Sequence, residues 1–277
     1  MTSTPAACLI GWPAAHSRSP LIHKYWLRKL GIEGDYRIEA VEPAAFTGFV
    51  SELRPRGYIG ANVTIPHKER ALMVSAPDDR AHAVGAANTL YFEGDELHST
   101  NTDVEGFLGN LDAAAQGWDG IDGALVLGAG GSSRAVIFGL LERGIGCVYL
   151  ANRTVDRARE LAAKFGTRVV VIDDSQVADV LPRAGLLVNT TSLGMTGQPP
   201  LAIDVSRLAP GTTVADLVYV PLETPLLKAA KARGLKTADG LGMLLHQAVR
   251  GFELWFGVRP EVTQELRALV EADLKSA

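Results

Sequence analysis

The sequence has only two cysteines, Cys8 and Cys147, far apart and set in apolar runs. That scarcity excludes a disulfide framework, and both read as small buried hydrophobes. The six histidines show no metal-ligand spacing with them, so neither zinc nor another metal is expected. No apolar run approaches the ~20 residues needed to cross a bilayer. Met1 to Ile10 lacks a basic leader followed by a long apolar core, so no signal peptide is expected. Basic residues are not in excess. The 27 Lys and Arg against 31 Asp and Glu leave a formal net charge of −4, which gives no pull toward nucleic acid. Internal repeats and low-complexity linkers are also missing. What remains is 277 residues, 47% hydrophobic and 21% charged, enough for one large or two ordinary domains of a soluble cytoplasmic protein.

Strand-like and helix-like stretches alternate from end to end, which predicts an α/β fold. Strands are expected at 6–11, 36–41 and 58–64, with Ser19-Pro20, Pro43 and Pro66 opening the helices that follow them. The stretches 88–92 and 97–101 flank Glu93-Gly94-Asp95-Glu96, a hairpin turn. After a helix over 102–115 a second series begins. Strands at 124–128, 147–151, 168–172, 186–190 and 212–217 alternate with helices at 132–143 and 154–165, a doubly wound pattern. The last segment, 241–277, is expected to be helical, with Pro260 opening its second helix.

The turn Gly128-Ala129-Gly130-Gly131-Ser132-Ser133 joins an apolar strand to a helix. Glycines there let the backbone approach a pyrophosphate, whose charge the helix N-terminus stabilises. Ser133 replaces the third glycine of the usual fingerprint, but the strand–turn–helix setting is the confirming context. An NAD site commonly has an acidic residue about 20 residues on, at the ribose. This chain has Asn152-Arg153-Thr154 with Arg157 one turn later, and two guanidiniums suit a 2′-phosphate. Cations oppose the dipole at a helix start, so a bound phosphate explains their placement and favours NADP. Asp156 stands nearby.

A hydride-transferring enzyme without a metal needs a side chain to handle the alcohol proton. In Asn62-Val63-Thr64-Ile65-Pro66-His67-Lys68, Pro66 would place Lys68 in the first helical turn, suited to general acid/base work; a plain surface lysine is the bland alternative. His67 reads as a packing or solvent-facing residue. Thr102 and Glu105 match a capping box, which leaves Asp103 free to pair with Lys68. Ser19 before Pro20 reads as an N-cap. Ser17 is unexplained by capping, and two hydroxyls at a helix start would hold a carboxylate.

Together with Gly85-Ala86-Ala87-Asn88-Thr89-Leu90 and Asp239-Gly240-Leu241-Gly242-Met243-Leu244, these motifs run in an order that resembles the shikimate dehydrogenases over essentially the whole chain. The resemblance implies an N-terminal α/β substrate domain, 1–104 plus 241–277, and a doubly wound Rossmann-type NADP domain, 105–240. It implies reversible reduction of 3-dehydroshikimate to shikimate, in aromatic amino-acid biosynthesis, by a monomer or homodimer. By the same resemblance Lys68 and Asp103 are the catalytic pair. Ser17, Ser19 and Thr64 hold the substrate carboxylate, while Asn88, Asp103, Tyr219 and Gln247 bind ring hydroxyls. The cofactor set is Gly128, Ala129, Gly130, Gly131, Ser132, Asn152, Arg153, Thr154, Arg157, Thr190 and Ser192, with Leu217, Gly240 and Met243 near the nicotinamide and Asp79 on the cofactor side. Asp216-Leu217-Val218-Tyr219 lacks the methionine and aromatic often found before the tyrosine, which implies altered nicotinamide packing. The competing readings are an NAD-using quinate/shikimate dehydrogenase, a methylenetetrahydrofolate-type dehydrogenase and a non-catalytic nucleotide or metabolite sensor.

Overall fold

The alternation of short apolar runs with helical stretches produces two sheets, each with its own core, in a computed structural model that describes residues 4–276. Residues 1–3 of the N-terminal stretch and Ala277 lie outside the described residues. The first unit extends to Glu105 and resumes at Leu245; the second is Gly106–Leu244. No helix among the described residues is long and apolar enough to cross a membrane.

The first unit contains β1 (Ala6–Gly11), α1 (Ser19–Leu30), β2 (Asp35–Ala40), α2 (Phe46–Ser51), β3 (Tyr58–Val63), α3 (Lys68–Met73), β4 (Ala76–Pro77), α4 (Asp79–Val84), β5 (Thr89–Glu93) and β6 (Glu96–Thr100). Its sheet has the order β2-β1-β3-β5-β6-β4 and is mixed: β5 runs antiparallel to β3 and β6. All of β1 is buried because both faces are covered. Cys8 and Ile10 pack with Phe46, Leu53 and Leu90 on one face, and Ala7 and Leu9 with Tyr36 and Trp255 on the other.

The second unit is entered within α5 (Thr102–Ala114). It continues through β7 (Gly123–Leu127), α6 (Gly131–Glu142), β8 (Cys147–Ala151), α7 (Val155–Phe165), β9 (Val169–Ile172), α8 (Asp174–Val180), β10 (Leu186–Asn189), β11 (Thr213–Asp216), α9 (Pro225–Ala232) and β12 (Lys236–Ala238). The chain ends with α10 (Gly240–Phe256), within which the first unit resumes, and α11 (Gln264–Ser276). The second sheet is parallel throughout, in the order β12-β11-β10-β7-β8-β9. That is the doubly wound order with its switch point between β7 and β10, where ligands of such sheets bind.

Three prolines do not open helices as expected. Pro43 lies in a turn closed by the Ala45 amide on Glu42 O, and α2 begins at Phe46. Pro66 lies in a turn closed by the His67 amide on Thr64 O, and α3 begins at Lys68. Pro260 precedes α11 by several residues; Thr263 Oγ1 accepts the Leu266 amide instead. The unforeseen elements β4, α4, α8, α9 and β12 are short, below the window in which periodicity is readable. Both cysteines are free, but Cys147 is only half-buried, whereas burial pushes the Cys8 thiol up from its ordinary range.

Candidate active site

The sheet of the first unit brings three chain segments to one end. Asn62 pairs with Thr89, and Thr89 with Thr100, so the end of β3, the start of β5 and the end of β6 lie side by side. Lys68, Asn88 and Asp103 leave the sheet at that end. Lys68 Nζ donates to Asp103 Oδ2 at 2.5 Å, and Asn88 Nδ2 donates to Asp103 Oδ1 at 2.9 Å. The two charged side chains are 25% and 13% exposed, so the pair is shielded yet reachable. An ammonium has three donors, and among the described residues Asp103 takes one of those on Lys68. The Asn88 carbonyl is engaged as well, accepting the Thr102 amide at 2.7 Å.

The start of α5 is capped differently from the expected box. Asn101 Oδ1 accepts the Asp103 amide at 3.1 Å, and Glu105 turns to Arg80 at 2.8 Å. Thr102 cannot reciprocate with Glu105 because its amide is taken by Asn88. Asp103 still sits in the first turn, where the dipole stabilises a carboxylate. His67 is a packing residue: it is buried, stacked on Phe46 with ring centroids 4.5 Å apart, with Nε2 2.7 Å from Val41 O. Burial lowers its pKa.

The serine pair reverses the expected roles. Ser19 is the first helical residue rather than the cap, and the N-cap is Arg18 without a side-chain bond. Ser17 Oγ accepts the Ser19 amide and lies 3.2 Å from Ser19 Oγ. Both hydroxyls therefore stand together at the start of α1. Arg18 itself is drawn away to Asp273 at 2.7 Å. Thr64 follows β3, the strand beside β1, and its amide donates to Ile10 O at 2.9 Å. Gln247 is half-buried on the part of α10 belonging to this unit, and Asp79 is exposed at the start of α4. Tyr219 belongs to the second unit, half-buried after β11.

In the second unit Gly128 has φ +108°, and a Cβ there would meet Thr190 Oγ1 at 2.6 Å. Glycine is required at this point by both conformation and space. Thr190 Oγ1 is held by Leu127 O at 2.7 Å. Gly130 is the N-cap of α6, and at Gly130 and Gly131 the space a Cβ would enter is open. The first amides of a helix have no acceptor within it, so they are available to a phosphate. Ser133 replaces the third glycine without crowding: it is buried, and its Oγ donates to Gly130 O at 2.7 Å. Asn152 Oδ1 accepts the Ala129 amide at 3.1 Å, tying the turn to the end of β8.

These residues open onto a cavity of about 790 Å³. Gly128, Ala129, Gly130, Asn152, Arg153, Arg157, Thr190 and Ser192 line it. Thr154 is the N-cap of α7 and is exposed beside it. Arg153 and Arg157 are exposed and, among the described residues, neither has an acidic partner. Asp156 is instead paired with Arg159 at 2.9 Å. Two unpaired guanidiniums beside an open helix start fit a dinucleotide bearing an extra phosphate. Gly240 is buried and lies so close to the Leu217 carbonyl that any Cβ would collide with it; Leu217 and Met243 are half-buried.

Sequence reasoning missed one wall of the cavity: Asp174 and Val177 on α8, and the loop residues Gln198, Pro199, Leu201, Ala202 and Ile203. It also gave no role to Asn189, whose side chain organises the loop after β10. Its Oδ1 accepts the Thr191 amide at 3.0 Å and its Nδ2 donates to the buried Asp216 at 2.9 Å. Burial raises the Asp216 pKa. The run Asn189-Thr190-Thr191-Ser192 after an apolar strand is the turn signal that could have found it. Among the described residues no group of three or more His, Cys, Asp or Glu is placed to hold a metal.

Residues 9–90 match the shikimate dehydrogenase substrate binding domain, 118–195 the shikimate / quinate 5-dehydrogenase family, and 240–270 the shikimate 5′-dehydrogenase C-terminal domain. A shikimate dehydrogenase (NADP(+)) of Afipia carboxidovorans is 70% identical, over 99% of each chain. Among solved structures, shikimate 5-dehydrogenase from Thermus thermophilus in complex with NADP(H) and shikimate superposes with a TM-score of 0.85, at 37% identity over 98% of each chain. Quinate dehydrogenase from Corynebacterium glutamicum in complex with NAD gives 0.88 at 32% identity, covering 97% of this chain and 99% of that one.

Proposed function

The chain belongs to the shikimate dehydrogenase family, and on that premise we propose that it interconverts 3-dehydroshikimate and shikimate with NADP as hydride carrier, Lys68 and Asp103 handling the proton. The observation that carries the residue assignment is the 2.5 Å contact from Lys68 Nζ to Asp103 Oδ2, with Asn88 on the other carboxylate oxygen. The dinucleotide, when bound, supplies or removes the hydride at the ring carbon. In the reducing direction negative charge develops on the ketone oxygen, and the Lys68 ammonium donates its proton there. In the oxidising direction the Lys68 amine accepts the alcohol proton. Asp103 holds the ammonium in place, and its carboxylate can also accept from a neighbouring ring hydroxyl.

Ser17, Ser19 and Thr64 offer hydroxyl donors to the substrate carboxylate, and Asn88, Tyr219 and Gln247 take the remaining hydroxyls. The amides of Gly128, Ala129, Gly130, Gly131 and Ser132 serve the pyrophosphate. Asn152, Arg153, Thr154 and Arg157 serve the phosphorylated ribose, and Thr190 and Ser192 border the same cavity. Leu217, Gly240 and Met243 flank the nicotinamide, and Asp79 completes the cofactor side. Residues 1–104 with 241–277 then form the substrate domain and 105–240 the NADP domain of a cytoplasmic monomer or homodimer.

Nicotinamide absorbance tests the reading directly, with shikimate or quinate offered alongside NADP⁺ or NAD⁺. Fast turnover is expected only with shikimate and NADP⁺. Faster turnover with quinate and NAD⁺ would transfer the protein to the rival reading.

A further inference from the structure

Among the described residues lining the cavity of the second unit there is one acidic side chain, Asp174. A carboxylate in a site built for phosphates is repelled by them, so it is useful there only where it meets a hydrogen-bond donor. Local structure does not require it. Asp173 caps α8, its Oδ1 accepting the amides of Ser175 at 2.9 Å and Gln176 at 3.2 Å, while Gln176 Oε1 accepts the Asp173 amide at 3.0 Å. Asp174 is exposed and, among the described residues, has no hydrogen bond or ion pair of its own.

Its place in the sheet says which part of a dinucleotide it meets. Strands β7, β8 and β9 lie side by side, each ~4.8 Å from the next. In register, Leu127 is paired with Ala151 and Ala151 with Ile172. Arg153 and Asp174 therefore each stand two residues beyond matched positions on adjacent strands. Moving across the strand ends, the glycine turn faces the pyrophosphate and the arginines face the ribose phosphate. Asp174 is the next position outward beside the arginines, and a base branching from the same ribose as the phosphate would come within its reach. The wall around it is apolar, from Ala151, Val177, Leu201 and Ile203, and suits the flat face of a purine.

We propose that Asp174 accepts a hydrogen from the exocyclic amino group of the adenine base, so that it is the residue by which this protein separates a 6-aminopurine dinucleotide from a 6-oxopurine one. The inference rests on the reading of this cavity as the NADP site. The analogue in which a 6-oxo group replaces the amino group presents an acceptor to the carboxylate where NADP presents a donor.

Titration calorimetry on the full chain, with NADP⁺ and its deaminated 6-oxo analogue, tests it. The wild type is expected to bind NADP⁺ ~tenfold more tightly than the analogue, the worth of one charge-assisted hydrogen bond. Asp174→Ala should bring the two affinities within about twofold of each other. Asp174→Asn, whose amide can donate to a 6-oxo group, should move the ratio further toward the analogue. An unchanged ratio in the alanine variant overturns the proposal. Where that unchanged ratio comes with an equal loss for both ligands, the carboxylate belongs on a ribose hydroxyl instead. Circular-dichroism melts confirm that each variant is folded. If the wild type binds neither dinucleotide and does not oxidise shikimate with NADP⁺, the functional reading fails as well; if it does both and only the ratio stays fixed, Asp174 alone is removed.

Discussion

Asn88 links two oxygens that matter, one on Asp103 and its own carbonyl beneath the Thr102 amide. Asn88→Ala leaves a buried amide unsatisfied and loosens the carboxylate that holds Lys68. It is expected to cost ~1–3 kcal/mol of stability in chemical denaturation and to reduce shikimate turnover; a variant as stable and active as wild type would contradict the assigned role. His23 carries a different consequence. Neither ring nitrogen makes a hydrogen bond of ordinary geometry among the described residues, the Asn62 side chain only weakly favours the protonated ring, and the ring is stacked on Tyr36 with centroids 4.2 Å apart. Burial pushes its pKa down to about 3 from an ordinary 6.5. The folded value lies below the unfolded one, so the unfolded chain takes up the proton first. The stability held above about pH 6.5 is lost progressively as the pH falls toward 3. His23→Phe, which keeps the stacking, should flatten that acid limb by about one proton's worth of slope in melts followed from about pH 7 to pH 4. A limb as steep as wild type would assign the acid sensitivity elsewhere.

At the scale of elements, the turn after β7 and the start of α7 both border the cavity proposed for the cofactor. Gly128→Ala adds strain at φ +108° and a contact with Thr190 Oγ1, so NADP⁺ affinity measured by titration should fall tenfold or more, about 1.4 kcal/mol. Replacing Arg153 and Arg157 together by Ala should reduce the preference for NADP⁺ over NAD⁺ by at least ~tenfold in kcat/KM; an unchanged preference would place the phosphate elsewhere. The turn was legible in the sequence because its glycines stand between a buried strand and a long helix, and the arginines because they oppose a helix dipole. The caps were not. Ser19 and Thr102 are as suitable by type as Ser17 and Asn101, and only the folded backbone decides which oxygen reaches which amide. Pro43, Pro66 and Pro260 fit helix starts by their fixed φ, yet the same φ suits the turns that precede those helices. Asp173 and Asp174 are indistinguishable by type, so which one caps and which one faces the cavity emerges only with the sheet. The wall formed by Leu201 to Ile203 has no periodicity and belongs to a loop, which left no signal to read.

On the scale of the whole molecule, each unit has its own sheet and core, with the Lys68–Asp103 pair in the first and the cavity with its arginines in the second. Ligand that binds only the folded chain raises its stability, by about 2.7 kcal/mol at a hundred times Kd. NADP⁺ is therefore expected to raise the melting temperature in a concentration-dependent way, and more than NAD⁺ at equal concentration; equal shifts would contradict the role given to Arg153 and Arg157. The central claim, proton transfer by Lys68, is tested most directly by steady-state shikimate oxidation in Lys68→Met, with NADP⁺ binding titrated on the same preparation. Turnover is expected to fall by ~10²–10⁴-fold or more while NADP⁺ affinity stays close to wild type. Turnover equal to wild type in a variant that binds NADP⁺ normally would contradict the account.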